Sequence, residues 1–388
     1  MSTAYFYLTD EGGKLAHKLA AIHPGDIYNK ENFKENLRAS FNKYDSLVCI
    51  MATGIVVRIL APLIVHKTSD PAVVVLDQKG KHAISLLSGH LGGANDLARE
   101  MAAISGGEAV ITTATDVAGE LSFDTFAKKY NLAIENIEQL KYISGALLAG
   151  KKVNVFTDKN VEELYPELVE EQKRGMIDIF PLSNDIDIIE FDIPAVVIDE
   201  GFYLNKHFIS ETKSLSDNIL VSTNSVGINS VSSNIGSSNS MSPDMTSIVS
   251  PSTHILYLRP RTICAGIGCK KNMEQKLIEE ALLQTLKEEG LHPLSLKCIA
   301  TIPLKSNEPG IIGTAKNLNV PLQIISTEEI EKLDIRHLGI ATSDFVASQT
   351  GVLSVSTASS YLASNKGEIL RDKAKYKGIT IALSKENF

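Results

Sequence analysis

Residues 84–95, ISLLSGHLGGAN, join an apolar run to a helical segment through three glycines in five positions. An apolar run that ends in a glycine-dense turn and a helix start is one strand–loop–helix unit of an α/β sheet. The glycines let the turn adopt φ > 0 or bring backbone against a ligand. The helix start at Ala94 directs amide N–H groups and a positive dipole end into the same space. His90, titratable near neutral pH, stands in the middle of the turn. The same residues taken alone also make an ordinary tight turn with a surface histidine.

The surrounding residues repeat the unit. Residues 5–8 read as a strand running into Thr9-Asp10-Glu11-Gly12-Gly13 and the helix KLAHKLAAI. Residues 31–41 read as helix, and SLVCIM (46–51) as a strand covered on both faces. Arg58 sits in the apolar stretch IVVRILAPLI and needs a partner there, either a carboxylate such as Asp70 or Asp96 or an anionic ligand. AVVVLD and KHAISLL flank Gln78-Lys79-Gly80, a hairpin signal, so the sheet is mixed. AVITTATD (109–116) reads as a strand ending in Thr112, Thr113, Thr115 and Asp116. Polar residues bunched at a strand end suit the ligand edge of an α/β sheet. Asp116 alone also suits a cap for the helix GELSFDTFAKKY.

With 388 residues, more than one domain is expected. The predicted fold class is α/β: a mixed-sheet N-terminal α/β domain (1–150), a small α+β middle domain (151–213) and a C-terminal α/β domain (254–388). In the middle domain VNVFTD, DIDIIEF and AVVIDEGFYL read as short strands. Residues 214–252 hold fourteen Ser and five Asn with no Lys, Arg or Glu, so 214–253 reads as a flexible linker. A net charge of −8 argues against nucleic acid as a partner, yet leaves room for a small anion held by a few local cations. No apolar run reaches the ~18–20 residues of a membrane span, and MSTAYFYLTDEGG lacks signal-peptide character, so a cytoplasmic protein is expected. Cys264 and Cys269 have no second pair at zinc-site spacing, and the four cysteines read as reduced thiols.

The C-terminal domain opens with ILYLRPRTICAGIGCKK, where a strand leads to Gly266-Ile267-Gly268 and the helix NMEQKLIEEALLQTLKEEG. Lys271 stands at the third glycine position of a dinucleotide fingerprint, the next strand SLKCIATI ends without an acid, and there is no GxxxxGK[ST]. A nicotinamide or ATP site is therefore disfavoured. Arg259, Arg261, Lys270 and Lys271 surround the glycines, which suits a carboxylate-bearing ligand; the two lysines also suit a solvated face. TIPLKSNEPG places Lys305 and Glu308 before an apolar helix, where Glu308 also serves the helix dipole.

These segments resemble a known family. TDEGGKLAHKLA, TGIVVRILAP, TSDPAVVVLDQKG, LLSGHLGGAND and VITTATD resemble the N-terminal half of the CbiG family, the cobalt-precorrin-5A hydrolases of anaerobic cobalamin biosynthesis. AGIGCKKN, TIPLKSNEPG and GVLSVSTAS resemble that family's C-terminal domain, shared with CobE. The similarity covers residues 1–160 and 254–388. The family carries a glutamate where Thr357 stands, and alanines are common at Ser359 and Ser360.

The resemblance implies a cobalt-bearing macrocycle with acetate and propionate arms, whose δ-lactone is opened and whose extra ring carbon leaves as acetaldehyde. Cobalt arrives within the substrate, so neither a cofactor nor a dedicated metal site is expected. The sequence supplies candidates for that chemistry: His90 as acid/base with Asp116 assisting, and Ser88, Gly89, Gly92, Gly93, Asn95 and Thr113 around the reacting group. Arg58 and Lys67 would clamp carboxylate arms. Gly266, Gly268, Lys271, Lys305 and Glu308 would contribute from the other domain. Hand-over from and to other pathway enzymes fits such a substrate. Two other classes remain open at this point: a corrinoid carrier without chemistry, and, less well supported, a nucleotide-dependent enzyme.

Overall fold

The computed structural model describes residues 2–66, 69–114, 119–182, 193–201, 254–334, 337, 338, 340 and 354–386. Lys67, Asp116, the segment DIDIIEF and the Ser/Asn-rich 214–253 stretch lie outside the described residues. The chain divides into two compact units, one of residues 1–130, 138–153 and 161–177, the other of residues 131–137, 154–160 and 178–388.

In the first unit β1 (Thr3–Tyr7), β2 (Asp26–Tyr28), β3 (Ser46–Ile50), β4 (Ala72–Leu76), β5 (His82–Leu87) and β6 (Glu108–Val110) form one sheet in the order β2-β1-β3-β4-β5-β6. The runs SLVCI and AVVVL of β3 and β4 are buried at every position, as covered parallel strands should be. Alternate residues serve opposite cores. Tyr5, Val48, Ile50, Val74 and Leu76 pack against α1 (Asp10–Ile22) and α4 (Ala94–Ser105). Phe6, Leu47, Cys49, Val73 and Val75 pack against α2 (Phe33–Ser40) and α3 (Thr53–Leu60). Each such side chain contributes roughly 1.5–3 kcal/mol on burial.

Strands β1 to β4 are parallel, β5 is antiparallel to β4, and β6 is parallel to β5, so the sheet is mixed as the Gln78-Lys79-Gly80 turn predicts. The strand expected over 109–116 stops at Val110. Its threonines follow the strand rather than belong to it. The helices α5 (Phe123–Lys129), α6 (Leu140–Leu148), α7 (Val161–Leu164) and α8 (Pro166–Lys173) follow in this unit.

The second unit carries two sheets. β7 (Leu132–Ile134), β8 (Val153–Phe156), β9 (Ile177–Phe180), β10 (Ala195–Ile198) and β11 (Ile255–Pro260) make the first, in the order β7-β11-β10-β8-β9. β11 comes from the start of the C-terminal segment and inserts between β7 and β10. The second sheet is β14-β13-β12-β16-β15, from β12 (Ile263–Cys269), β13 (Leu296–Thr301), β14 (Leu322–Ile324), β15 (Glu368–Tyr376) and β16 (Ile379–Lys385). Ile263, Ala265 and Ile267 of β12 face α9 (Gln275–Glu288) and α10 (Pro309–Asn317). Cys264 lies on the other face, in the core shared with α11 (Thr327–Glu331) and α12 (Ser356–Ala363).

Here the expectation for Gly266-Ile267-Gly268 needs correction. These residues are inside β12, not in a loop after it, and each pairs with β16. A Cβ on Gly266 would lie 1.8 Å from the carbonyl oxygen of Ser356, so α12 rests its backbone on the strand. Gly268 has Thr380 Oγ1 2.7 Å from the same point. Both glycines serve packing.

Gly266→Ala should therefore destabilise the protein by about 2–4 kcal/mol through overpacking. Gly145→Ala, in α6 with nothing within 4 Å of its Cβ position, should stabilise it by about 0.5–1 kcal/mol through helix propensity. Urea unfolding of the two variants checks both signs.

Candidate functional site

The 88–95 loop closes on itself before it can hold anything else. Ser88 takes a left-handed backbone, φ +58°, and its hydroxyl donates to Asp70 O at 3.0 Å. The amide of Ala94 donates to Ser88 O at 3.1 Å, that of Asn95 to Gly89 O at 2.9 Å, and that of Gly93 to His90 O at 2.9 Å. Gly93, with φ +87°, begins α4. The helix-start amides of Ala94 and Asn95, expected to meet a ligand, are thus bonded to the loop's own carbonyls. Among the described residues the amides of Gly89, Leu91 and Gly92 donate to no protein acceptor.

Asn95 is 3% exposed and fastens the loop to β5 and to the segment after β6. Its Oδ1 accepts from the Ser85 hydroxyl at 2.6 Å, and its Nδ2 donates to Thr113 Oγ1 at 2.9 Å. A Cβ on Gly89 would meet that Oδ1 at 2.8 Å, and one on Gly92 would meet Ser88 Cβ at 2.4 Å. Ser88, Gly89, Gly92, Gly93, Asn95 and Thr113 do converge, as expected, but most of their polar groups shape the loop.

His90 has the most direct chemical setting. Its Nδ1 lies 3.1 Å from Asp124 Oδ2 and 3.4 Å from the Ser122 hydroxyl, both half-buried at the start of α5. An ionised carboxylate only accepts, so in the neutral imidazole Nδ1 carries the proton and Nε2 the lone pair. Burial works to raise the Asp124 carboxyl, but hydrogen bonds from His90, Ser122 and the Thr125 amide outweigh it and hold the group below the usual carboxylate range. Asp124 was not singled out by the sequence. It lies 34 positions from His90 in a segment that reads only as a helix start.

Beside this loop is a cleft of about 520 Å³, lined by Leu91, Gly92, Lys43, Ser69 and Asp70 among others. Arg58 is elsewhere. It is exposed on α3, and its Nη1 donates to Gly54 O at 2.9 Å, with neither Asp70 nor Asp96 as its partner. Asp70 instead accepts from the Val65 amide, and Asp96 pairs with Arg99. α3 follows the end of β3, whereas the His90 loop follows β5, which runs the other way. Arg58 and His90 therefore lie at opposite ends of the strands.

In the second unit Lys305 and Glu308 do come together with the loop after β12. Glu308 accepts from the Asn272 amide and from Lys305, at 3.3 Å in the latter case. Lys271 is exposed in that loop. Arg259, expected to face a ligand, is 2% exposed and committed to the protein. Its Nε and Nη2 reach Glu135 Oε2 at 2.7 and 2.6 Å, and its Nη1 bonds Asp199 O and Gly201 O. Thr357, at the place of the family glutamate, donates to Asp372 Oδ1 at 2.7 Å.

Residues 35–116 match the family Cobalamin synthesis G N-terminal, 121–184 the Cobalamin biosynthesis central region, and 263–384 the Cobalamin synthesis G C-terminus. A protein of Salmonella typhimurium LT2 named cobalt-precorrin-5A hydrolase is 32% identical, over 98% of this chain and 97% of that one. The chain belongs to the CbiG family. A second CbiG-type relative of the same name, from Priestia megaterium, is 26% identical over 97% of this chain and 93% of its own. The crystal structure of CobE, from the cobalamin (vitamin B12) pathway, is 26% identical over 33% of this chain and 92% of its own, with a TM-score of 0.31. The N-terminal match, residues 35–116, spans both the α3 segment and the His90 loop. No described helix is long and apolar enough to cross a membrane.

Because the Asp124 carboxylate is held low by its partners, its contribution is present above the ordinary value of about 3.9 and is lost as pH falls through the lower folded value. Asp124→Asn should cost about 1–3 kcal/mol at pH 7. The difference from the parent should shrink below about pH 4. Urea unfolding at pH 7 and pH 3 measures it.

Proposed function

We propose that this chain is a cobalt-precorrin-5A hydrolase, opening the δ-lactone of that macrocycle and releasing acetaldehyde to give cobalt-precorrin-5B. The observation that carries the reading is the near full-length similarity to a Salmonella protein of that name. Water adds to the lactone carbonyl, and the acyl–oxygen bond breaks to leave a carboxylate and a hydroxyl on the extruded carbon. Removal of the hydroxyl proton lets that carbon leave as acetaldehyde, and the electron pair of the broken carbon–carbon bond returns to the macrocycle, which is then protonated.

Both halves of the reaction need a base that can also act as acid. His90 fits that role, with Asp124 fixing the tautomer that leaves Nε2 as the acceptor. Asp124 takes the assisting part expected of Asp116. The amides of Gly89, Leu91 and Gly92 suit the oxyanion that forms at the lactone carbonyl. Lys43, in the adjacent cleft, supplies positive charge near the same loop. In this reading cobalt enters with the substrate, no cofactor is bound, the reaction takes place in the cytoplasm, and the macrocycle passes from and to neighbouring enzymes of the pathway. Lys305, Glu308 and Lys271 remain candidates for arm binding in the second unit.

Anaerobic incubation with cobalt-precorrin-5A should yield acetaldehyde, and a chain that binds the macrocycle without releasing it would be a carrier instead. His90→Asn should lower the rate of release by about 10²–10⁴-fold with little change in affinity. Release at the parent rate would remove His90 from the chemistry.

A further inference from the structure

The first sheet has a second concave site, at the end opposite the His90 loop. The segments that follow β1, β3 and β4 meet there around a crevice of about 450 Å³, within the roughly 300–1,000 Å³ range of small-molecule sites. Its position follows from the strand order. From β1 the chain passes to β2 on one side and then crosses to β3 on the other. α1 covers one face of the sheet and α2 the opposite face. The gap between the carboxyl ends of β1 and β3 is therefore a topological switch point, where open α/β sheets bind ligands.

The crevice has an apolar floor that includes Leu8, Met51, Ile55 and Val75. Arg58, exposed on α3, does not line the crevice, but its Nη1 donates to Gly54 O at 2.9 Å on the helix turn that carries the lining residues Thr53 and Ile55. Among the described residues no carboxylate pairs with Arg58. The lining carboxylate, Asp77, is turned onto backbone, accepting from the amides of Lys79 and His82 at 2.9 and 2.8 Å. The helix turn next to this apolar crevice thus carries a guanidinium, while the crevice's own carboxylate is already engaged.

We propose that this crevice is a second ligand site, which takes one carboxylated edge of a tetrapyrrole macrocycle. Arg58 holds a carboxylate arm, as a guanidinium does best. The floor receives the methyl and methylene groups of the ring edge. The choice of a tetrapyrrole rests on the hydrolase reading above, whereas the charge and shape of the site do not. Because the crevice and His90 are at opposite ends of the strands, one chain offers two separate places for such a molecule, and a macrocycle in the crevice is out of reach of the acid/base.

Cobyrinic acid, a heptacarboxylic corrin without a lactone, tests this by calorimetric titration of the full chain. Arg58→Gln should remove one equivalent of binding per chain or weaken one class of site at least tenfold. Gln78→Trp, which fills the mouth from an exposed hairpin position, should do the same. A parent chain that does not bind cobyrinic acid, or a titration unchanged by either substitution, overturns the proposal. A chain that loses the equivalent on both substitutions yet releases no acetaldehyde from cobalt-precorrin-5A keeps the crevice and fails the hydrolase reading. The reverse pattern fails the crevice alone.

Discussion

The tight reversal between β4 and β5 decides where chemistry can sit in the first unit. Asp77 accepts the amides of Lys79 and His82, and the Gly80 amide returns to Asp77 O at 2.9 Å. Gly80 has φ +66°, and a Cβ there would lie 2.7 Å from Ser105 Cβ. Burial works to raise the Asp77 carboxyl, but the backbone amides outweigh it and hold it low. With the chain turned so sharply, every loop after β5 and β6 emerges at the end where β3 and β4 begin. The loops after β1 and β3 emerge at the other. The similar motifs of this half of the chain are thereby sorted into two groups, one around His90 and one around Arg58.

Within the His90 group the economy of hydrogen bonds is what limits function. A glycine-rich loop that leaves all its amides unbonded would be costly to bury and poorly fixed. This one uses the amides of Gly93, Ala94 and Asn95 to hold its own shape, and among the described residues leaves those of Gly89, Leu91 and Gly92 without a protein acceptor. Asn95, bridging Ser85 and Thr113, ties that turn to β5 and to the segment that follows β6. Preorganised donors of this kind need no reorganisation when charge develops in front of them.

Local patterns in the sequence are faithful to the structure. The apolar runs of β3 and β4, the hairpin, the helix after Gly93 and the convergence of Gly89, Asn95 and Thr113 are all legible, because each depends on neighbours a few residues away or on a repeating unit. What escapes is non-local. Asp124 becomes a partner of His90 only through folding. Arg259 looks like a ligand contact until Glu135, more than a hundred positions earlier, is brought against it. Gly266 looks like a glycine of a ligand-binding loop, but it is small because α12 lies on it. In each case the residue type is unambiguous and its partner is distant, so composition and spacing alone leave the role open.

The middle sheet of the second unit has a consequence for how the chain is made. Asn136 donates to Ile255 O, and its Oδ1 accepts from the Tyr257 amide, so the segment around β7 is completed by residues 119 and 121 positions later. At the usual ribosomal rate of about 5–20 residues per second, that delay is roughly 6–24 s. During it the strand Leu132–Ile134 and the acid that will neutralise Arg259 have no partner from β11. The first unit's six-stranded sheet, whose strands lie within residues 3–110, has every strand available long before then. Synthesis therefore presents a nascent protein whose N-terminal sheet can be finished while the middle one waits, and the wait is a window in which a chaperone would find an unpaired strand edge.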